Sequence, residues 1–221
     1  YELFYCLGSA RIGIVGLLFT YRACRLYFDR MPSATAALGV WFASPIFYYL
    51  AVETSMSHAV TQGLLSIFLF YCLRGGWLSR PRQAAFMGCL LGLATLVRPQ
   101  EILFGVAPVA MAVCAWRTAP LKTSLRSLLA MGAPAAMIAS IQAAVYWMVF
   151  GSVFGNPYIT EAQTGPSGAC FNWWAPHFMP VLFSGYRGLF VWHPINLLGV
   201  LGLVLFALRN LTAFFALLAA R

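Results

Sequence analysis

The sequence predicts an all-α membrane protein, a polytopic transmembrane helical bundle of about seven spans with a truncated eighth. Hydrophobic residues make up 62% of the 221 residues and charged residues only 9%, and the mean hydropathy is +0.80. A soluble domain with this composition would have to expose a large apolar surface. Apolar stretches of roughly 20 residues, the length that crosses a bilayer core, also follow one another with little polar chain between them. We therefore expect residues 1–221 to form a single membrane domain.

The candidate spans are read from these apolar stretches in chain order. They are residues 3–21 (or, shifted, 11–27), 32–50, 55–73, 83–97, 101–116, 127–150 and 188–208, with an eighth that begins at Leu211. The fourth and fifth are short for complete crossings. They form either two spans or one hairpin that enters the membrane around RPQE, residues 98–101, and returns.

The basic residues fall in alternate loops. Ten of the fourteen Lys and Arg residues would share one side of the membrane: Arg22, Arg25, Arg30, Arg74, Arg80, Arg82, Arg117, Lys122, Arg126 and Arg209. The positive-inside rule makes that side cytoplasmic. The opposite side receives four of the five acidic residues and all three histidines. The net charge of +9 is thus explained by orientation in the membrane, and no nucleic-acid partner is predicted.

This topology places Tyr1 on the extracytoplasmic side, and no signal-peptide pattern precedes the first apolar run. We therefore expect the sequence to be a fragment that lacks at least one upstream span. The segment 151–187 is predicted to be a long extracytoplasmic loop within the domain. Its adjacent Trp173 and Trp174 suggest that the loop associates with the membrane surface.

Neither a nucleotide-binding glycine loop nor a metal-ligand spacing is present, so no cofactor is predicted, and a divalent metal has no support. Ala84, Gly88 and Gly92 recur every four residues. Small residues at this spacing predict close helix packing.

Polar residues near the outer face are the candidates for a functional site. An ionised side chain in the bilayer centre costs about 2.5–3.5 kcal/mol on insertion scales, so such residues usually face a bundle interior and often mark a site. Each also has a structural interpretation: helix-to-helix hydrogen bonding for a polar stripe, an ion pair between Arg98 and Glu101, or interfacial anchoring. The candidates are Arg11, Glu53, His58, Arg98, Glu101, Tyr158, Glu161, Arg187 and His193. His58, Gln62 and Ser66 recur every four residues and form the polar stripe on one helix face.

Three of the candidates, Arg11, Arg98 and Arg187, are predicted to lie on the outer side of the bundle. The planar guanidinium donates parallel hydrogen bonds to a phosphate and stays charged when partly desolvated. We therefore predict that they bind the phosphate of a lipid-linked ligand.

Several runs in the sequence carry a family resemblance. They include GLATLVRPQEILF, FGSVFGNPYI and LFSGYRGLFVWHPI, with LVRPQE and GLFVWHP the most telling. The sequence resembles bacterial membrane glycosyltransferases of the GT-C superfamily, which are akin to protein mannosyltransferases and lipid-sugar transferases. The resemblance implies an enzyme of the inner or plasma membrane that transfers a sugar, usually with inversion, from a polyprenyl-phosphate donor to a lipid, glycan or protein on the extracytoplasmic side.

The resemblance also implies roles for particular residues. In such enzymes an acidic residue in the first outer loop acts as general base, and this sequence begins after that loop would have ended. Arg98 and Arg187, with Arg11, are expected to offset the charge that develops on the leaving phosphate. Substrate contacts are expected from Glu53, His58, Glu101, Tyr158, Glu161 and His193.

Two alternatives come from other functional classes. A multi-span transporter or lipid flippase would also place polar residues inside a bundle, although paired discontinuous helices are its usual sign. A non-catalytic membrane subunit would use the glycine ridge to pack against partners.

Overall fold

The structure is a computed structural model, which describes residues 2–53, 56–115, 120–153, 177–186, 188–205 and 208. These residues form α-helices, short 3₁₀ segments and connecting turns, with no β-strand among them. The predicted all-α class is confirmed. The helices are α1 (Glu2–Cys24), α2 (Arg30–Phe42), α3 (Pro45–Ala51), α4 (His58–Arg74), α5 (Pro81–Val97), α6 (Val106–Cys114), α7 (Leu121–Phe150), α8 (Phe178–Phe183), α9 (Leu189–Trp192) and α10 (Ile195–Leu205), with 3₁₀ segments at Trp77–Ser79 and Pro99–Gly105.

Two of the described helices are long and apolar enough to cross a membrane, namely Phe4–Cys24 of α1 and Leu121–Phe150 of α7. The pair α2 and α3 adds a third if it forms one bent span. Both long helices bury few of their residues within the protein. Apolar helices with so little internal burial need a surrounding apolar solvent, which a bilayer provides. The protein is a membrane protein, and the count of seven spans remains a prediction.

The structure breaks two of the segments that were predicted to be continuous. The segment 32–50 bends by 69° between α2 and α3, where Ser44 Oγ accepts a hydrogen bond from the Ile46 amide at 3.4 Å and Pro45 begins the new helix. The segment 188–208 is interrupted at His193 and Pro194, between α9 and α10. In both places a proline, which lacks an amide hydrogen, favours the start of a helix over its interior.

Helices α1 and α4 run in the same direction with a constant offset. Thr20 Oγ1 lies 3.1 Å from Ser66 Oγ, and the Tyr27 hydroxyl donates to the Leu73 carbonyl at 3.3 Å. Both pairs are 46 residues apart. A Cβ on Gly16 would lie 2.7 Å from the Gly63 Cα, so only a residue without a side chain permits this close approach.

Helices α5 and α7 make the most extensive contact in the described structure and also run parallel. A Cβ added to Gly88 would collide with the carbonyl oxygen of Met131, and one added to Gly92 would lie 2.9 Å from Ile138 Cβ. Ala84 is fully buried in the same core. The small-residue ridge therefore packs α5 against α7, as the sequence predicts.

A tight turn reverses the chain between α4 and α5. Gly75 and Gly76 both have positive φ angles, 75° and 76°, which glycine adopts without the steric penalty of other residues. The turn places the end of α4 beside the start of α5. We call this the basic end of the bundle, defined by the ends of α1 and α4 and the starts of α5 and α7. The opposite end, defined by the start of α4 and the end of α5, is the cavity end.

Candidate functional site

A cavity of about 500 Å³ opens between α3, α4 and the segment that follows α5. Its lining combines apolar side chains with the polar face of α4. The lining residues are Pro45, Ile46, Tyr49, His58, Thr61, Gln62, Leu65, Ser66, Leu69, Arg98, Glu101 and Phe104. A concave, mostly apolar site with a few convergent polar groups is the usual form of a ligand site.

Arg98 is the central cation of this cavity. It follows the last residue of α5, and its Nη1 lies 2.8 Å from His58 Nδ1 at the start of α4. With the Gln100 side-chain amide oriented so that its oxygen faces the guanidinium, this oxygen accepts from both Nη2 and Nε at 3.1 Å. Two neighbours thus fix the half-buried guanidinium in the cavity wall.

The contact with Arg98 determines the form of the His58 ring. Because a guanidinium has donors and no acceptor, His58 Nδ1 must accept the hydrogen bond, and the neutral ring then carries its proton on Nε2. The ring also stacks on Tyr49, with centroids 4.0 Å apart and planes inclined by 22°. These contacts keep His58 neutral and fixed in orientation.

Glu101 is the carboxyl group of the cavity wall. Arg98 donates to His58 and Gln100 rather than to Glu101, so the ion pair offered as the structural interpretation does not form. Glu101 therefore keeps its oxygens available to the cavity.

The polar stripe of α4 has two uses. At one end, Ser66 hydrogen-bonds to Thr20 of α1 and accepts from Gln62 Nε2 at 3.1 Å, which is the predicted helix-to-helix contact. At the other end, His58 holds Arg98. Between them the Gln62 side-chain oxygen is buried without a hydrogen-bond partner. An unpaired buried acceptor is costly, and this oxygen packs against α1, where a Cβ on Gly16 would lie 2.6 Å from it.

Among the other predicted residues that the structure describes, Arg11, Glu53 and His193 do not line the cavity. The register of α1 against α4 places Arg11 level with Ser57, beside the start of α4, where its side chain is exposed. Because α1 begins at Glu2, Arg11 lies within the helix, as in the unshifted prediction. Glu53 interacts electrostatically with His58 from the α3–α4 connection. His193 lies between α9 and α10, away from the cavity lining. Arg187, Tyr158 and Glu161 lie outside the described residues.

Sequence reasoning missed two residues that position the site, Tyr49 and Gln100. Tyr49 belongs to an aromatic run of the kind found at membrane interfaces. Gln100 is an uncharged residue between Arg98 and Glu101, and its closeness to Arg98 in the sequence is the only feature that indicates its role. In the described residues, no three His, Cys, Asp or Glu side chains come together as a metal site would need.

A family comparison covers the part of the chain that builds this cavity. The family model described as dolichyl-phosphate-mannose-protein mannosyltransferase matches residues 3–147, which is more than half of the chain. The chain belongs to this family. It is a membrane glycosyltransferase of the mannosyltransferase type, which confirms the resemblance seen in the sequence.

The matched stretch of this mannosyltransferase-like protein runs from α1 into the last turn of α7 and includes every residue of the cavity wall. Arg187, Tyr158, Glu161 and His193 lie beyond it. No curated protein and no solved structure gives a significant match to the chain.

Proposed function

We propose that the protein transfers a sugar, with mannose the first candidate, from a polyprenyl-phosphate donor to a lipid, glycan or protein acceptor on the extracytoplasmic face of a bacterial inner or plasma membrane. The observation that carries this proposal is the fixed guanidinium of Arg98 in the cavity wall. The family description supports both the lipid-phosphate donor and the mannosyl group.

Arg98 is suited to the leaving phosphate because part of its hydrogen-bonding capacity is free. A guanidinium has five N–H donors; one serves His58 and two serve Gln100. Two remain, one on each terminal nitrogen. A donor that is already fixed where charge develops stabilises the transition state without reorganisation. In this proposal the C1–O bond to the phosphate breaks while the acceptor oxygen bonds to C1, and Arg98 stabilises the departing polyprenyl phosphate.

The remaining cavity residues are proposed to hold the sugar and exclude water. The carboxyl of Glu101 accepts hydrogen bonds from sugar hydroxyls, and the His58 Nε2–H donates one. Glu53, Arg11, Tyr158, Glu161, Arg187 and His193 remain candidates for contacts with the rest of the donor or the acceptor. An acidic residue is proposed to take the proton of the acceptor hydroxyl as general base, and inversion at C1 follows from a single displacement.

Donor selectivity tests this function. Membranes that contain the protein would be supplied with radiolabelled undecaprenyl-phosphate-mannose or GDP-mannose, and label in lipid, glycan and protein fractions would be counted after blocking the synthesis of lipid-linked mannose. We expect transfer from the polyprenyl donor only. Transfer from GDP-mannose alone, or movement of the lipid across the bilayer without transfer, would contradict the proposal, and the second result would favour a flippase.

A further inference from the structure

A second depression lies at the basic end, on the surface where α5 and α7 begin. Its volume is about 470 Å³, and its lining residues are Arg80, Pro81, Arg82, Gln83 and Arg126. The parallel packing of the two helices pairs Gly88 with Met131 and Gly92 with Ala135, an offset of 43 residues. The same offset places Gln83 level with Arg126. Arginines from two separate elements therefore converge on one concave surface.

The arginines of this depression differ from the others at the basic end. Arg25 Nη1 donates to the Phe28 carbonyl at 2.7 Å, and the guanidinium groups of Arg22 and Arg74 lie 5.4 Å and 6.0 Å from the ring centroids of Phe19 and Phe70. Within the described residues, the side chains of Arg80, Arg82 and Arg126 have no such partner.

Among the described residues, the lining of the depression also includes no acidic side chain. Three like charges that share a concave surface repel one another. An anion would remove that cost, because each guanidinium retains its full set of donors for phosphate oxygens.

Apolar side chains stand directly beside the depression. Phe86 lies one helical turn after Arg82 and is 46% exposed, and Leu129 lies one turn after Arg126 and is 65% exposed. Residues three or four apart share a helix face. A ligand with a phosphate head and hydrocarbon tails would contact the arginines and these apolar side chains together, whereas a soluble phosphate would contact only the arginines.

We propose that Arg80, Arg82 and Arg126 form a binding site for the phosphate of an anionic phospholipid headgroup, with the lipid tails against Phe86 and Leu129. Membrane orientation alone requires cations in the loops on one side; it does not require them to converge from two helices on one depression. The site lies at the end of the bundle opposite Arg98, so the inference is independent of the proposed sugar transfer.

Lipid titration of the intact protein tests the site. The protein in neutral detergent would be titrated with short-chain phosphatidylglycerol, and lipid binding would be followed by the thermal unfolding midpoint and by native mass spectrometry. Short-chain phosphatidylcholine, glycerol phosphate and inorganic phosphate are the comparison ligands. We expect phosphatidylglycerol to bind and stabilise the protein at concentrations where the other three do not.

Two variants on α7 provide a matched pair. Arg126→Gln and Lys122→Gln each remove one positive charge from exposed positions one turn apart, and only Arg126 lines the depression. Losing a coordinated arginine is expected to weaken phosphatidylglycerol binding roughly tenfold, against less than about threefold for Lys122→Gln. Arg126→Lys, which keeps the charge and loses the planar fork, is expected to fall between them.

If Arg126→Gln and Lys122→Gln lose equal amounts of phosphatidylglycerol affinity, the proposed site is wrong, and the lipid is attracted to the basic end as a whole. Glycerol phosphate or inorganic phosphate that stabilises the protein as well as phosphatidylglycerol would overturn the lipid assignment. Because both altered positions are exposed, the ligand-free unfolding midpoint of each variant should match that of the parent protein and serves as the control for folding.

Discussion

Both ends of the bundle carry arginine, but they hold it differently. At the cavity end one half-buried guanidinium is fixed by two neutral partners, His58 and Gln100. At the basic end three exposed guanidinium groups share a depression without a partner among the described residues. A fixed donor suits a charge that develops at one defined position, whereas unpartnered guanidinium groups keep all their donors for an anionic headgroup that binds from outside. Positioning of a guanidinium, more than the local number of arginines, separates a candidate catalytic site from a surface-binding site.

The largest expected effect comes from removing the fixed arginine. Arg98→Ala should lower the rate of sugar transfer from a polyprenyl-phosphate donor about 10²–10³-fold, the loss seen when one preorganised donor is removed. Arg98→Lys should recover part of the rate, since it keeps the charge and loses the fork. The assay is initial-rate transfer in membranes at matched protein amounts. Arg74→Ala, which removes an exposed arginine at the basic end, is the control and should transfer normally.

A second substitution tests the close packing of α5 against α7. Gly88→Leu should lower the free energy of unfolding by about 1–3 kcal/mol because its side chain collides with the Met131 backbone. The unfolding midpoint in detergent measures this. The matched control is Gly132→Leu, since Gly132 lies in α7 with open space around its Cβ position. If both variants unfold at the parent midpoint, the close α5–α7 packing is wrong.

A smaller effect is expected when Arg98 keeps its charge and loses its positioning partner. His58→Ala should reduce transfer roughly tenfold, consistent with about 1.5–3 kcal/mol for a hydrogen bond to a charged group, reduced by retention of Gln100. The loss should appear mainly in the turnover rate at saturating donor. A loss confined to KM would show that His58 contributes only to donor binding.

The smallest expected effect concerns Gln100. Its side chain is exposed, so solvent can replace much of what it provides. Gln100→Ala should reduce transfer only about two- to fivefold, the equivalent of a net hydrogen bond of about 0.5–1 kcal/mol. Initial transfer rates of Gln100→Ala and His58→Ala, measured side by side, show which of the two residues contributes more to holding Arg98. A loss from Gln100→Ala that exceeds the loss from His58→Ala would reverse their assigned importance.

The sequence was sufficient for features that depend on local composition and period. The apolar stretches predict the helices, and the spacing of His58, Gln62 and Ser66 predicts one polar helix face. The four-residue spacing of Ala84, Gly88 and Gly92 predicts close helix packing, and only the structure identifies α7 as the partner. The apolar run 32–50 gave no warning of its bend, because apolar composition outweighed the effect of Pro45 in the prediction.

The contacts that position the site depend on the meeting of distant segments. His58 and Arg98 are 40 residues apart, and no period or spacing in the sequence indicates their contact or the stacking of Tyr49 on His58. The polar stripe on α4 had two interpretations from the sequence alone, helix packing and ligand binding. The structure assigns the first to Ser66 and brings His58 into the cavity, because α1 lies against one part of the stripe and Arg98 reaches the other.

The role of Arg98 as the ligand of the donor phosphate is tested most directly by the affinity of the intact protein for polyprenyl phosphate, the leaving group, because this measurement requires neither an acceptor nor the catalytic base. Binding of undecaprenyl phosphate would be measured for the parent, Arg98→Ala and Arg74→Ala, with the unfolding midpoint of each as the folding control. We expect Arg98→Ala to bind at least about tenfold more weakly, the loss of a charge-assisted contact to phosphate, while Arg74→Ala binds as the parent does. Unchanged affinity in a folded Arg98→Ala variant would contradict the assignment of the donor phosphate to the cavity end.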